Sequence, residues 1–282
     1  MRLPEKLTIG MATYEDYDGL YFTIQALRYY HQDADPHRIK FLVIDNCPEG
    51  QHAEFNKNFV DKHVWNGRYI ATDKIKGTAV RDLIFEEAST ELVLCMDSHV
   101  LVEPGGIRAL LDYYDAHPES DDLIQGPLVY DDIYNMSSHF TPKWERGLYG
   151  DWDNDPRAAD KYGEPFDIPA QGLGLFSCRK RAWLGFNRRF RGFGGEEFYI
   201  HEKFRKAGRR TLCLPALRWI HRFERPLGTR YPNVWEDRIR NYIIGWREIG
   251  RPIDDIIEYF STVIGRDKVM DVVAAVDAET KE

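Results

Sequence analysis

A chain of 282 residues with 43% hydrophobic and 13% aromatic content can bury one substantial core, or a core with a smaller appendage. Its formal net charge of -8 opposes long-range capture by nucleic acid or anionic lipid, because a like-signed field repels both. No apolar run reaches the about 18 residues that a membrane-spanning helix needs. The opening Met1-Arg2-Leu3-Pro4-Glu5-Lys6 leads toward a strand without an apolar leader core, so the expected location is the cytoplasm and no membrane span is expected. Cys47, Cys95, Cys178 and Cys213 form no CxxC pair, and three of them lie in or beside apolar runs, which suits reduced core thiols.

In chain order, the first half alternates short apolar runs with helical patterns. Leu7–Ala12 is followed by Tyr17–His31, Ile39–Asp45 by roughly Gln51–Val60, Tyr69–Thr72 by Gly77–Ala88, and Leu92–Met96 by Pro104–His117, before a run at Leu123–Val129. Strands separated by helices of this length predict an α/β fold with a mostly parallel sheet covered on both faces. From Tyr130 to Pro165 the pattern dissolves into sequence containing Trp144, Tyr149, Trp152 and Tyr162, which reads as a functional loop or lid whose aromatics either stack on a ligand or pack the lid. Regular structure resumes at Ala170–Phe176, followed by a helix from about Glu196 to Ala207, short runs at Thr211–Leu214 and Trp219–Phe223, and two or three C-terminal helices. The expected division is a catalytic domain over 1–232, with halves at about 1–129 and 130–232, and a helical extension over 233–282.

In parallel sheets, ligands bind beyond the carboxyl ends of the strands. Thr13, Asp45-Asn46 and Asp97-Ser98-His99 occupy such positions, although Asp, Asn and Ser are also common turn and capping residues. A D-x-D or D-x-H spacing decides nothing by itself, since Asp16/Asp18, Asp33/Asp35, Asp61/His63, Asp115/His117 and Asp151/Asp153/Asp155 all match. Asp97 and His99 differ in directly following the buried-strand pattern Glu91–Met96. Residues i and i+2 of an extended segment point the same way, so both can converge on one metal ion.

The stretch from Lys76-Gly77-Thr78-Ala79-Val80-Arg81-Asp82 through Asp97-Ser98-His99 resembles the donor-binding half of GT-A glycosyltransferases, especially the polypeptide N-acetylgalactosaminyltransferases with their Asp-Ser-His metal motif. Gly192-Phe193-Gly194-Gly195-Glu196-Glu197 is similar to their Trp-Gly-Gly-Glu-Asn motif, and Trp219–Phe223 resembles the segment carrying their third metal ligand. The resemblance implies a Rossmann-like GT-A fold and a metal held by Asp97, His99 and His221. It also implies that Asp45 reads the base or ribose and that Arg81 contacts the donor; from the residues alone, Asp45 could equally cap a turn and Arg81 pair with Asp82. The implied ligands are a nucleotide sugar, expected to be a UDP sugar, and Mn²⁺ or Mg²⁺, with a carboxylate and imidazole set tilting toward Mn²⁺.

Two departures matter. Glu197 replaces the Asn of the polypeptide enzymes, and Gly-Gly-Glu-Glu resembles the acidic element of inverting family-2 transferases, which makes Glu197 the candidate base if the reaction inverts; if it retains, the departing phosphate takes the proton and Glu196 and Glu197 orient the substrates. A Glu pair at a helix start can also simply complement the helix dipole. Glu224 stands where those enzymes place an Arg, so Arg222 or Arg225 becomes the candidate phosphate contact. Residues 179–240 hold 17 Lys/Arg against 6 Asp/Glu. That leaves open an anionic acceptor, such as a phosphorylated glycan, a lipid phosphate or DNA, beside a glycan or other hydroxyl acceptor, and solvated helix faces are the structural alternative. The competing readings are a sugar transferase acting on modified bases in DNA and a catalytically silent nucleotide-sugar-binding scaffold.

Overall fold

The computed structural model describes residues 5–75, 77–225 and 228–279; Met1–Pro4 and Lys76 lie outside them. In chain order the first half contains β1 (Leu7–Thr13), α1 (Tyr17–Tyr30), β2 (Ile39–Asp45), α2 (Ala53–His63), β3 (Gly67–Ala71), α3 (Asp82–Glu87), β4 (Leu92–Asp97), β5 (Val100–Val102), α4 (Gly106–Ala116), β6 (Leu123–Gln125) and β7 (Leu128–Val129). The second half adds β8 (Met136–Ser137), β9 (His139–Glu145), β10 (Leu148–Asp153), β11 (Phe166–Asp167), β12 (Leu175–Arg179), α5 (Glu197–Lys206), β13 (Thr211–Cys213) and β14 (Trp219–His221). The helices α6 (Trp235–Glu248), α7 (Asp254–Ile264) and α8 (Arg266–Glu279) close the chain.

The main sheet has the order β11-β13-β6-β12-β4-β1-β2-β3, parallel from β4 through β3, with β12 running antiparallel to β4. A smaller sheet, β5-β14-β7-β8, joins the middle of the chain to its later part. The α/β expectation holds, and the side-chain alternation of the central strands explains why. Along β4, Leu92, Leu94 and Met96 enter the core beneath α1 and α4, while Val93 and Cys95 enter the opposite core with α3 and α5. That second core continues without a break into Tyr242, Trp246, Phe260 and Val273 of the last three helices. Cys95, Cys178 and Cys213 are buried free thiols, and Cys47 is half-buried.

Three local expectations are corrected. The run Leu123–Val129 is two strands in two sheets: Pro127 has no N–H for a ladder, and Gly126 passes so close to Leu217 that a Cβ would sit 1.7 Å from its carbonyl oxygen. The Gly77–Ala88 helix begins as a 3₁₀ turn over Thr78–Arg81 before α3 starts. The expected lid at 130–165 contains the antiparallel hairpin β9–β10, turning at Arg146 and Gly147, both with positive φ. Its aromatics divide: Trp144 stacks on Tyr259 at 4.9 Å and packs against Tyr242 and Phe260, Tyr149 packs on Phe198 and Trp246, Tyr162 is exposed, and Trp152 lines the main cleft.

Helix α3 reaches β1 only because residue 10 is glycine. A Cβ there would meet Ile84 Cγ2 at 2.1 Å inside a core without slack. Gly10→Ala is therefore expected to overpack this contact and cost about 1–3 kcal/mol. The midpoint of denaturant unfolding should fall with an unchanged m-value.

Candidate active site

The carboxyl ends of β1 and β4, the end of β14 and the start of α5 surround a cleft of about 730 Å³. Asp97 closes β4, where its N–H donates to the Gly174 carbonyl at 2.9 Å. The chain turns through Ser98 and His99 and returns as β5, which pairs antiparallel with β14 so that His221 lies opposite Val100. The Arg222 N–H donates to the His99 carbonyl at 3.1 Å, and the two imidazoles meet edge to face with centroids 4.8 Å apart. One ligand atom from each of Asp97, His99 and His221 lies within 4.8 Å of the others.

The electrostatics prepare this triad. Burial disfavours ionisation of Asp97, but the Arg81 guanidinium at 2.8 Å and the His221 Nε2 at 3.4 Å outweigh it and hold the carboxyl well below the usual range. Burial pushes the His221 pKa down, favouring the neutral imidazole that metals bind, and its buried Nδ1 has no hydrogen-bond partner. His99 Nδ1 lies 2.6 Å from the Asp16 carboxylate; as donor to it, the ring keeps Nε2 free for a metal. Asp16 also caps α1 by accepting from the Gly19 N–H, which fixes its position. A carboxylate and two imidazoles, one with an orphaned buried nitrogen, fit a divalent cation.

At the other side of the cleft, Gly192, Gly194 and Gly195 all have positive φ and bring Glu196 and Glu197 to the start of α5. Asn241 of α6 is fully buried and clamps this loop, accepting from the Arg191 N–H and donating to the Arg191 and Gly194 carbonyls. Glu196 is buried, with Oε1 3.7 Å from Arg81 Nη1. Burial, then the adjacent Glu197 charge, push its pKa up, and Arg81 only partly offsets this. Glu197 lines the cleft, and burial raises its pKa as well.

The other sequence candidates separate clearly. Thr13 lines the cleft with a buried, unpartnered hydroxyl. Asp45 does not line it: its carboxylate accepts from the Cys47 N–H, the Asn56 amide and the Tyr69 hydroxyl, so it organises the loop after β2 while Asn46 meets the cleft. Arg81 is buried between two carboxylates, and Asp82 instead binds the Trp183 indole and the Phe186 N–H. Arg225 lines the cleft with its buried Nε unpartnered, whereas Arg222 is exposed and outside the lining. Asp16 and Asn241 were not singled out by the sequence; Asp16 meets His99 across 83 positions, a distance no spacing rule spans.

Much of the basic segment is consumed by ion pairs with acids from elsewhere. Arg179 pairs with Glu91, Arg181 with Asp121, Lys203 with Glu248, Arg210 with Asp167, Arg218 with Glu103, Arg230 with Glu15, and Arg189 and Arg240 with Glu279. The charge asymmetry is thus mostly structural.

This architecture has known counterparts. The fold matches GalNAc-T7, solved with UDP, GalNAc and Mn²⁺, with a TM-score of 0.71 and 14% identity over 92% of this chain and 50% of that one. It also matches the mannosyltransferase PcManGT from Pyrobaculum calidifontis, solved with GDP-Man and Mn²⁺ (TM-score 0.59, 14% identity, 98% of this chain and 76% of that one). A third match is S. aureus TarS 1-349 in complex with UDP-GlcNAc (TM-score 0.58, 13% identity, 96% and 71%). The chain spans half the length of GalNAc-T7. No curated protein sequence matches it. The fold is GT-A, as the motifs implied. Residues 8–180 match the model of glycosyl transferase family 2, so the chain belongs to that family.

Proposed function

We propose that the chain transfers a sugar from a nucleoside-diphosphate sugar, with UDP as the expected carrier, to a hydroxyl of an acceptor glycan, using a divalent cation held by Asp97, His99 and His221. The observation that carries this reading is the prepared triad: an ionised carboxylate and two imidazoles, one with an orphaned buried nitrogen, in the same cleft as Glu197. The Mn²⁺ and UDP of the similar structures support the same ligands here. When bound, the cation supplies Lewis-acid stabilisation of charge on the departing diphosphate.

The chain's own groups do the rest. Thr13 and Arg225 meet the donor, Arg225 being the better-placed phosphate contact than Arg222. Arg81 keeps Asp97 ionised, a role its two carboxylate neighbours support over a direct donor contact. The Glu197 carboxylate takes the proton of the acceptor hydroxyl as that oxygen bonds to the anomeric carbon. The bond from this carbon to the diphosphate oxygen breaks and leaves its electron pair on the diphosphate, which inverts the anomeric centre. Residues up to about 129 then supply most donor contacts, and those beyond supply the acceptor side.

A panel of nucleotide sugars, incubated with the purified protein with and without Mn²⁺, tests the donor without knowledge of the acceptor. Metal-dependent release of UDP from one donor is expected, together with Mn²⁺ binding detected by electron paramagnetic resonance. No metal-dependent nucleotide binding or cleavage across the panel would overturn the reading in favour of a silent scaffold.

A further inference from the structure

Beyond the metal triad, the cleft carries a set of apolar and aromatic side chains beside the candidate base. Phe140, Leu148 and Trp152 of the β9–β10 hairpin line the cleft together with Phe193 and Glu197. Trp152 is fixed in place. Its ring meets Phe140 with centroids 4.4 Å apart, and its benzo edge lies against residue 172, where a Cβ would sit 3.0 Å from Cζ2 and 3.1 Å from Cη2. Gly172 does not have a positive φ, so the glycine is needed there for space and not for backbone conformation. The result is a half-buried indole held against the chain on one edge and bordering the cleft.

The guanidinium groups here are already engaged. Arg191 is tied to Asp237 at 2.7 Å, Arg81 lies between Asp97 and Glu196, and Arg238 is buried, donating to the Gly147 carbonyl and the Asn233 amide oxygen. What faces the acceptor space is therefore aromatic carbon and a carboxylate. A polyanion such as DNA draws most of its affinity from cations contacting its phosphates, and a phosphorylated acceptor would bring its charge toward the Glu197 carboxylate while Arg81, Arg191 and Arg238 are held by other groups and Arg225 is assigned to the donor.

Resting on the transfer reaction above, we propose that the acceptor is an uncharged pyranoside whose apolar face stacks on Trp152 while the reacting hydroxyl points to Glu197. A pyranose suits this site because its axial C–H face is apolar and its rim is all hydroxyl. Trp152 is then the residue that selects the acceptor, and neutral glycans are favoured over phosphorylated ones and over DNA.

The test uses the full chain saturated with UDP and Mn²⁺. Saturation-transfer NMR compares methyl pyranosides with their 6-phosphates and with a short DNA oligonucleotide. Neutral pyranosides should bind and the phosphorylated ones should not, and Trp152→Ala should weaken binding about tenfold or more, with Trp152→Phe recovering most of it. Where transfer can be assayed, the loss should appear in the acceptor KM and not in kcat. UDP affinity, followed separately, checks that the variants remain folded and also reports on the donor reading independently of the acceptor. Binding that requires a phosphate, or neutral-sugar binding indifferent to Trp152 in folded protein, would overturn the proposal.

Discussion

His99→Ala and His221→Ala are each expected to lower kcat by about a thousandfold or more, because a bound cation contributes several kcal/mol to charge stabilisation and each 1.36 kcal/mol is about tenfold in rate. Mn²⁺ affinity should collapse in parallel while the fold survives, since neither imidazole is a core side chain and the His221 Nδ1 already lacks a partner. Asp97→Ala should abolish transfer too, but it also strips the buried Arg81 of its nearest counter-charge, so a stability loss of about 3–5 kcal/mol is expected alongside. Asp16→Asn should sit between these extremes. It retains the cap on α1 but loses the anionic partner of His99, and metal affinity should fall about 10–100-fold. Spin-resonance titration of Mn²⁺ beside unfolding curves separates the four variants. Wild-type metal affinity in His99→Ala would remove the triad from the mechanism.

The parts of this architecture legible in the sequence are those fixed by local chemistry. β1, β2 and β4 read as largely apolar runs because both faces of each are covered, and the carboxyl end of β4 could therefore be located to within one residue. The hairpin over 139–153 escaped because its pattern is set from outside: Trp144 is half-buried against Tyr259 and Asp255 of α7, more than a hundred positions later, while its strand neighbours are polar and partly exposed. Asp45 shows the limit of an end-of-strand rule. An acid there has the same sequence signature whether it faces ligand or loop, and only the Asn56 and Tyr69 side chains decide between them. The excess of Lys and Arg over 179–240 left two readings open for a related reason, since the acids that neutralise much of it are dispersed from Glu15 to Glu279.

Glu197→Gln is expected to reduce transfer by about 10²–10⁴-fold while leaving nucleotide and Mn²⁺ affinity in place, the loss typical of a deleted general base. The pH dependence gives the sharper test. Burial raises the Glu197 pKa above its ordinary value, so the group stays protonated to a higher pH than a solvated glutamate and is a stronger base once ionised. Since only the carboxylate can accept the hydroxyl proton, kcat/KM should fall as pH decreases through that raised pKa, above the about 4.3 of an unperturbed glutamate. In Glu197→Gln this acidic limb should vanish along with most of the rate. Glu197→Asp keeps the charge but draws it back by one methylene toward the start of α5, and should retain a limb at reduced rate. A purely helix-stabilising Glu197 would behave differently, because glutamine at this first helical position costs about 0.3–1 kcal/mol of stability through the helix dipole and leaves the pH profile of transfer intact.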